Sequence, residues 1–184
     1  MTKWSAETWP TFIEINPWTT LGTPIGTLGA GASTVIGSYT GNIPRDSDVF
    51  SFQIPAGHQL DSVDLIYDVT NGDSGGGSYM AIQQGLELGT GISTVGNNLS
   101  NALVNTSGEL LAVFEAGPAF GGLGISAPLA SGYYTLGLHE SSSADISYSL
   151  TFNVSAIPEP STLGLGLLAF TFFAGPRAFS VRSK

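Results

Sequence analysis

Residues 146–154 read Ile146-Ser147-Tyr148-Ser149-Leu150-Thr151-Phe152-Asn153-Val154, and apolar and polar side chains alternate there without a break. Successive side chains of a β-strand point to opposite faces of its sheet, so a period of two predicts a strand with one buried face and one solvated face. The polar set contains only Ser, Thr and Asn. This stretch therefore predicts an antiparallel sheet that covers a core on one side and meets water on the other.

Upstream of this stretch, short apolar or alternating runs are separated by segments rich in Gly, Pro, Asn and Ser, which are typical of turns. The three serines at residues 141–143 predict a hairpin turn between the last two runs. No amphipathic helix of useful length is evident. The pattern predicts an all-β protein, an antiparallel β-sandwich that is jelly-roll-like. The predicted upstream strands are residues 49–54, 60–69, 79–82, 110–114 and 133–138.

The 184-residue chain divides into three parts by composition. Residues 1–30 form an irregular N-terminal segment, in which Phe12-Ile13-Glu14-Ile15 is a possible edge strand and residues 22–31 read as loop. Residues 31–155 form the predicted β-sandwich domain. Residues 156–184 form a tail with a short C-terminal hydrophobic helix.

Charge separates the body from the tail. Of fourteen acidic side chains only Glu159 lies in residues 156–184, whereas three of the five basic side chains lie there. Nucleic-acid binding needs Lys and Arg that displace counterions from phosphates, so the acidic body argues against a nucleic-acid partner. The chain has no cysteine, which excludes disulfides, thiolate metal sites and cysteine nucleophiles.

The tail has three parts in a defined order. Pro158, Glu159 and Pro160 form a polar turn, an apolar run rich in glycine follows over residues 163–174, and a basic end comes last. This order is the layout of a membrane-directed sorting signal, with the basic end on the cytoplasmic side. The side chains expected in the membrane are Leu163, Leu165, Leu167, Leu168, Phe170, Phe172 and Phe173, and those of the basic end are Arg177, Arg182 and Lys184.

The apolar run is short for a permanent anchor. At 1.5 Å per residue a helix over residues 163–174 would be about 18 Å long, against about 30 Å for the hydrocarbon core of a bilayer. The run therefore favours a transient signal that is held in the membrane and then processed.

Two stretches carry resemblances to known families. Ala156-Ile157-Pro158-Glu159-Pro160-Ser161-Thr162-Leu163-Gly164-Leu165, with the later arginines, resembles the PEP-CTERM sorting signal of proteins exported by Gram-negative bacteria. The resemblance covers residues 157–184. It implies that a membrane-embedded exosortase recognises the Pro-Glu-Pro motif and removes or exchanges the tail. The same C-terminal signature is also used as a label on ice-binding proteins.

The body, over roughly residues 20–155, resembles a bacterial pre-peptidase C-terminal domain. That likeness implies a secreted, non-catalytic β-sandwich module, some members of which bind polymers or calcium. The residues that carry it are Thr34-Val35-Ile36-Gly37-Ser38, Asp46-Ser47-Asp48-Val49-Phe50-Ser51-Phe52, Pro55-Ala56-Gly57, Ala130-Ser131-Gly132-Tyr133-Tyr134-Thr135-Leu136 and Tyr148-Ser149-Leu150-Thr151.

One stretch imitates a catalytic motif. Gly72-Asp73-Ser74-Gly75-Gly76 spells the nucleophile turn of chymotrypsin-like proteases, with His58 as the only upstream base. Such proteases need a longer chain and a histidine far upstream of the serine. We therefore interpret the stretch as a Gly-rich turn and predict that the protein is not an enzyme.

Metal binding rests on few candidates. Asp46 and Asp48 lie just before a predicted strand, and loop carboxylates are ligands that Ca²⁺ prefers, so these two are the candidates for a calcium site. The alternative is a solubilising acidic surface. His58 and His139 are the only histidines, too few for a zinc site without other ligands nearby.

The solvent-facing hydroxyls of Ser147, Ser149 and Thr151 leave a binding role open, with exopolysaccharide or ice as ligand, although any solvated strand has a similar face. An accessory domain of a secreted hydrolase is a further alternative.

Residues 1–7 contain one basic residue and no apolar run, so they do not form a signal peptide, and we expect the export signal upstream of Met1. The leading prediction is an exported protein of the cell envelope or extracellular matrix, attached to the membrane by its tail before processing and then extracellular or on the surface.

Overall fold

The computed structural model describes residues 22–43, 46–86, 99–140 and 142–158. Strands make up most of these residues, with a single short helix among them. The elements are β1 (Thr23–Thr27), β2 (Gly31–Thr40), β3 (Ser47–Ile54), β4 (His58–Asn71), β5 (Ser78–Gln84), β6 (Ser100–Val104), β7 (Gly108–Glu109), α1 (Leu110–Glu115), β8 (Gly132–His139) and β9 (Asp145–Ala156).

The strands form two sheets that share one core. The five-stranded sheet has the order β1-β3-β8-β5-β6, and the four-stranded sheet has the order β2-β9-β4-β7. Phe152 of β9 joins the sheets, because its ring lies 6.3 Å from that of Phe50 and 5.0 Å from that of Phe52, both on β3. The predicted all-β fold is confirmed, and it is sandwich-like.

Strand β9 is the centre of the four-stranded sheet. It pairs with β2 over ten consecutive positions without a register shift, and with β4 on its other side. Its apolar side chains are buried and its Ser, Thr and Asn side chains are partly exposed, as the alternation predicts. The predicted strands at residues 49–54, 60–69, 79–82 and 133–138 lie in β3, β4, β5 and β8.

Residues 110–114 are not a strand, so that prediction is wrong. They belong to α1, which buries Leu110, Leu111 and Phe114 against the core. The preceding Glu109 has an extended backbone, and its carboxylate accepts hydrogen bonds from the backbone N–H groups of Leu111 (2.9 Å) and Ala112. This cap satisfies donors that the first turn leaves unpaired. A short apolar run has no period that would separate helix from strand.

Residues 22–31 contain a strand where a loop was predicted. Strand β1 pairs with β3, and this pair is parallel whereas the other strand pairs are antiparallel. The register shifts between Pro24 and Gly26, where Gly26 adopts φ 103°. Ile25 and Leu28 belong to the core. The prediction was wrong because an edge strand tolerates the Pro and Gly that argued for a loop.

The serines at residues 141–143 do not close a hairpin. Strand β8 lies in the five-stranded sheet and β9 in the four-stranded sheet, so the connection crosses the sandwich. Glu140 is buried at this crossing and accepts a hydrogen bond from the backbone N–H of Ser142 (2.8 Å). Turn residues predict a change of direction but not the sheet that the next strand joins.

Several predictions lie outside the described residues: the strand at residues 12–15, the tail helix, Glu159, Pro160 and the basic end. Among the residues that the structure does describe, no helix is long and apolar enough to cross a bilayer.

Candidate functional site

The predicted sorting motif begins just after the last strand ends. Strand β9 ends at Ala156, and the backbone N–H of Ile157 donates to the carbonyl oxygen of Gly57 (2.7 Å). Ile157 and Pro158 are both exposed. The first residues of the predicted processing site are therefore on the surface of the sandwich, directly after its central strand.

The protease-like stretch forms a turn at one end of the sandwich. The Asp73 carboxylate accepts a hydrogen bond from the backbone N–H of Gly75 (2.8 Å), which is an Asx turn. His58 is the first residue of β4, and Ser74 follows the end of this fourteen-residue strand. At about 3.3 Å per residue the strand separates the two by roughly 45 Å. Ser74 and His58 cannot act on the same substrate atom.

Asp46 and Asp48 face different surroundings. The Asp46 carboxylate accepts a hydrogen bond from the backbone N–H of Ser47 (2.8 Å). Asp48 is only 1% exposed, and its Oδ2 accepts a hydrogen bond from the Tyr148 hydroxyl (2.6 Å). Within the described ranges, no three His, Asp or Glu side chains are grouped closely enough to hold a metal ion. Calcium binding at Asp46 and Asp48 stays a prediction.

Asp48 belongs to a buried polar cluster between the sheets, at the end of the sandwich that contains the β4–β5 and β8–β9 connections. The Tyr67 hydroxyl bonds to Ser78 Oγ (2.9 Å), which donates to the Glu140 carboxylate (2.9 Å). Asp48 Oδ1 and the Tyr39 hydroxyl are buried without a hydrogen-bond partner. The members of the buried polar cluster are Tyr39, Asp48, Tyr67, Ser78, Glu140 and Tyr148.

Burial dominates the ionisation of three members of this cluster, Asp48, Tyr39 and Tyr148. It raises the pKa of Asp48 to about 7, although the hydrogen bond from Tyr148 acts in the opposite direction. Burial also raises the pKa values of Tyr39 and Tyr148 well above the ordinary tyrosine value. The physical cause is the loss of solvation, which penalises the charged form of each group.

Gly37 makes space for the Tyr148 ring. A Cβ atom at position 37 would lie 2.6 Å from Cζ of Tyr148, which is too close for any larger residue. The Tyr148 ring also packs on Tyr39, with ring centroids 5.7 Å apart. Because the strand register places Gly37 opposite Tyr148, the Tyr148 ring can lie over β2 with its hydroxyl next to Asp48.

Sequence reasoning missed this cluster, although one signal was available. Asp48 has the same strand parity as Phe50, Phe52 and Ile54, so the alternation places its carboxylate toward the core. A second missed contact joins Ser47 Oγ to His139 Nδ1 (2.8 Å). These two residues are cross-strand partners in β3 and β8, 92 positions apart in the chain.

The outer face of the four-stranded sheet is a mostly polar surface with two exposed isoleucines, which we call the hydroxyl face. It is formed by Ser147, Ser149 and Thr151 of β9, by their β2 partners Ser38, Ile36 and Thr34, and by their β4 partners Asp68, Ile66 and Asp64. Thr34 and Thr151 share a hydrogen bond between their hydroxyls (3.1 Å), and Asn153 Nδ2 donates to the Asp64 carboxylate (2.8 Å).

At one end of this face, the Asp145 side chain links neighbouring strands through hydrogen bonds. Its carboxylate accepts hydrogen bonds from Thr40 Oγ1, Asn71 Nδ2 and Asn42 Nδ2, which lower its pKa. These donors come from β2, from β4 and from the turn after β2. The three long strands are therefore held together at a single side chain.

Comparison with protein-family models finds no family that matches this chain, and comparison with curated proteins finds no matching sequence. A functional assignment therefore depends on the tail motif and on the geometry described above.

Proposed function

We propose that this protein is an exported, non-enzymatic component of the cell envelope or extracellular matrix. It is sorted through its C-terminal tail by an exosortase-type enzyme. The observation that carries the proposal is the order of Pro158-Glu159-Pro160, the apolar run and the basic end in the sequence. In the same proposal, the apolar run forms a short helix in the membrane and the sandwich is of the jelly-roll type.

The position of the motif supports processing without damage to the fold. Strand β9 completes its pairing with β2 and β4 by Ala156. A cut within residues 157–161 would remove no strand residue and no member of the core. The exposure of Ile157 and Pro158 gives an enzyme access to this segment.

Two observations support a non-enzymatic role. Ser74 and His58 lie at opposite ends of β4, so the protease-like residues do not converge. The depressions beside α1 and beside β1 have volumes of about 100 and 110 Å³, whereas small-molecule sites usually measure about 300–1,000 Å³.

Intact-mass analysis of the protein recovered from the producing cell tests the proposal. We expect the mature protein to end within residues 157–161. A protein that ends at Lys184 and stays in the membrane would be a plain anchor, and the sorting proposal would then be wrong.

A variant pair makes this test specific. Glu159→Ala changes the motif and should leave the full-length form in the membrane. Glu115→Ala changes an exposed acid on α1 and should be processed like the wild type. Equal processing of the two variants would show that the Pro-Glu-Pro motif is not what the enzyme reads.

The hydroxyl face favours a second candidate function, the binding of a polysaccharide of the matrix. Three neighbouring strands present hydroxyl and carboxylate groups in register on either side of a row that contains Ile36, Ser149 and Ile66, at spacings of about 4.8 Å across and 6.8 Å along the strands. Co-sedimentation with insoluble exopolysaccharide from the producing cell tests this. Ser149→Lys, at the centre of the face, should stay in the supernatant, and Val113→Lys on α1 should sediment like the wild type. A wild-type protein that stays in the supernatant would exclude this function.

A further inference from the structure

Strand β2 forms one edge of the four-stranded sheet. Among the described strands it pairs with β9 alone, and it does so over ten positions without a bulge. In an antiparallel pair, alternate residues direct their N–H and C=O groups away from the partner. The free side of β2 therefore presents a straight row of backbone donors and acceptors to its surroundings.

The other edge strands of the described sheets are protected. Strand β1 contains Pro24 and an irregular register, β6 has five residues and β7 has two. Short length, proline and bulges are the usual means by which edges avoid pairing with other chains. Strand β2, with the sequence Gly31-Ala32-Ser33-Thr34-Val35-Ile36-Gly37-Ser38-Tyr39-Thr40, has none of these and no charged residue.

Charge also singles out this edge. The described residues contain ten Asp and Glu side chains and no Lys or Arg, so the described parts of two copies repel each other. Of the acids on the hydroxyl face, Asp64 and Asp68 lie on β4, two strands away from the free edge, and Asp145 lies at the far end of β9, where its carboxylate accepts a hydrogen bond from Thr40. Two β2 edges can therefore meet without a charged side chain on either of the pairing strands.

We propose that the free edge of β2 pairs with the β2 strand of a second copy of this chain. The two strands run antiparallel about a two-fold axis, which makes the contact isologous and closed. With the axis at Ile36, the Ile36 side chains of the two copies lie side by side, and Thr34 of each copy lies opposite Ser38 of the other. The two four-stranded sheets become one sheet of eight strands.

This register accounts for an exposed apolar side chain. Ile36 is 54% exposed on the hydroxyl face of an isolated molecule, between the small polar side chains of Thr34 and Ser38. Directly opposite residues in an antiparallel pair bring their side chains into contact. Pairing at Ile36 covers this residue with its own copy and satisfies the free backbone groups in the same step.

Sedimentation of the full chain with two matched variants tests the proposal. Ile36 and Ile66 both flank Ser149 on the same face, but Ile66 lies on β4, inside the sheet. The wild type and Ile66→Lys should be dimers, and Ile36→Lys should be a monomer with an unchanged circular-dichroism spectrum. A monomeric wild type overturns the proposal. So does a dimer that Ile66→Lys disrupts, which would mean pairing through the face.

A cross-link tests the register and does not depend on a charged substitution. The chain has no cysteine, so Ile36→Cys would carry a single thiol. Opposite residues of an antiparallel pair have Cα atoms about 4.5–5.5 Å apart, which suits a disulfide. Mild oxidation should convert Ile36→Cys to a covalent dimer and leave Ile66→Cys, about 24 Å from its copy, unlinked. Association that survives Ile36→Lys and gives no Ile36→Cys cross-link would come from another part of the chain, and the proposal would be wrong.

Discussion

Asp48 has an unusual position for a carboxylic acid, because the parity of β3 turns it into the interior. Its partner is the Tyr148 hydroxyl, and its second oxygen has no hydrogen-bond partner. Burial raises its pKa from the ordinary 3.8 to about 7. Between these values the folded protein keeps a proton that the unfolded chain has released. The stabilising effect of this proton is therefore complete at low pH and is lost as the pH rises toward 7.

We expect Asp48→Asn to flatten the pH dependence of the free energy of unfolding between about pH 4 and 7. A shift of one pKa unit corresponds to about 1.4 kcal/mol, so the wild type should lose a few kcal/mol over this range through Asp48 alone. Urea unfolding at several pH values measures it. Asp68→Asn, at an exposed position of β4, should keep the wild-type slope. An unchanged slope in Asp48→Asn would mean that this carboxyl is ionised in the folded protein.

At the scale of single elements, α1 depends on Glu109. The carboxylate of this residue caps two N–H groups of the helix and also accepts a hydrogen bond from the backbone N–H of Val63 on β4 (2.8 Å). One side chain thus joins the start of α1 to the four-stranded sheet. The apolar side of α1 closes the core next to β4 and β6.

We expect Glu109→Ala to lower the free energy of unfolding by about 1–2 kcal/mol, the usual range for loss of a helix cap. Glu109→Gln keeps one carbonyl acceptor, so its free energy of unfolding should fall by less than that of Glu109→Ala. Glu115→Ala, at the exposed far end of α1, should stay within about 0.5 kcal/mol of the wild type. Chemical denaturation measures all three. Equal losses for the alanine variants would contradict the capping role.

Elements whose signal is local were predictable from the sequence. Strand β9 needs only its own alternation, and its prediction is confirmed. Strand β1 and the β8–β9 crossing depend on partners far away in the chain. Composition alone therefore predicted a loop in place of β1 and a hairpin turn in place of the crossing. The helix after Glu109 was missed because glutamate is not among the usual capping residues. The inward position of Asp48 could be read from parity, but its contact with Tyr148 spans 100 positions and needs the fold.

At the scale of the whole molecule, the chain is acidic, and the part of it that the structure describes has no basic side chain to compensate the acids. The ten carboxyl groups of the described residues have no Lys or Arg among those residues, and the full chain has a formal net charge of −9. Self-repulsion of this kind weakens the compact state, and salt screens it.

We expect the melting temperature at pH 7 to rise by several degrees between about 10 mM and 1 M NaCl, because the Debye length falls from about 30 Å to 3 Å. Scanning calorimetry measures the rise. Near pH 3 most carboxylates are protonated, so the same increase in salt should have little effect. A similar rise at both pH values would point to a general salt effect and would contradict the electrostatic explanation.

The central place of β9 also has a consequence for biosynthesis. Strand β9 pairs with β2 and β4, and both are synthesised before it. Neither can form its pairing with β9 until translation has reached Ala156. Long-range pairing of this kind is slow even in the finished chain. The four-stranded sheet therefore cannot be completed until β9 is available, and β9 lies directly before Pro158-Glu159-Pro160 in the sequence. The strand that completes this sheet and the predicted sorting motif are thus neighbours in the order of synthesis.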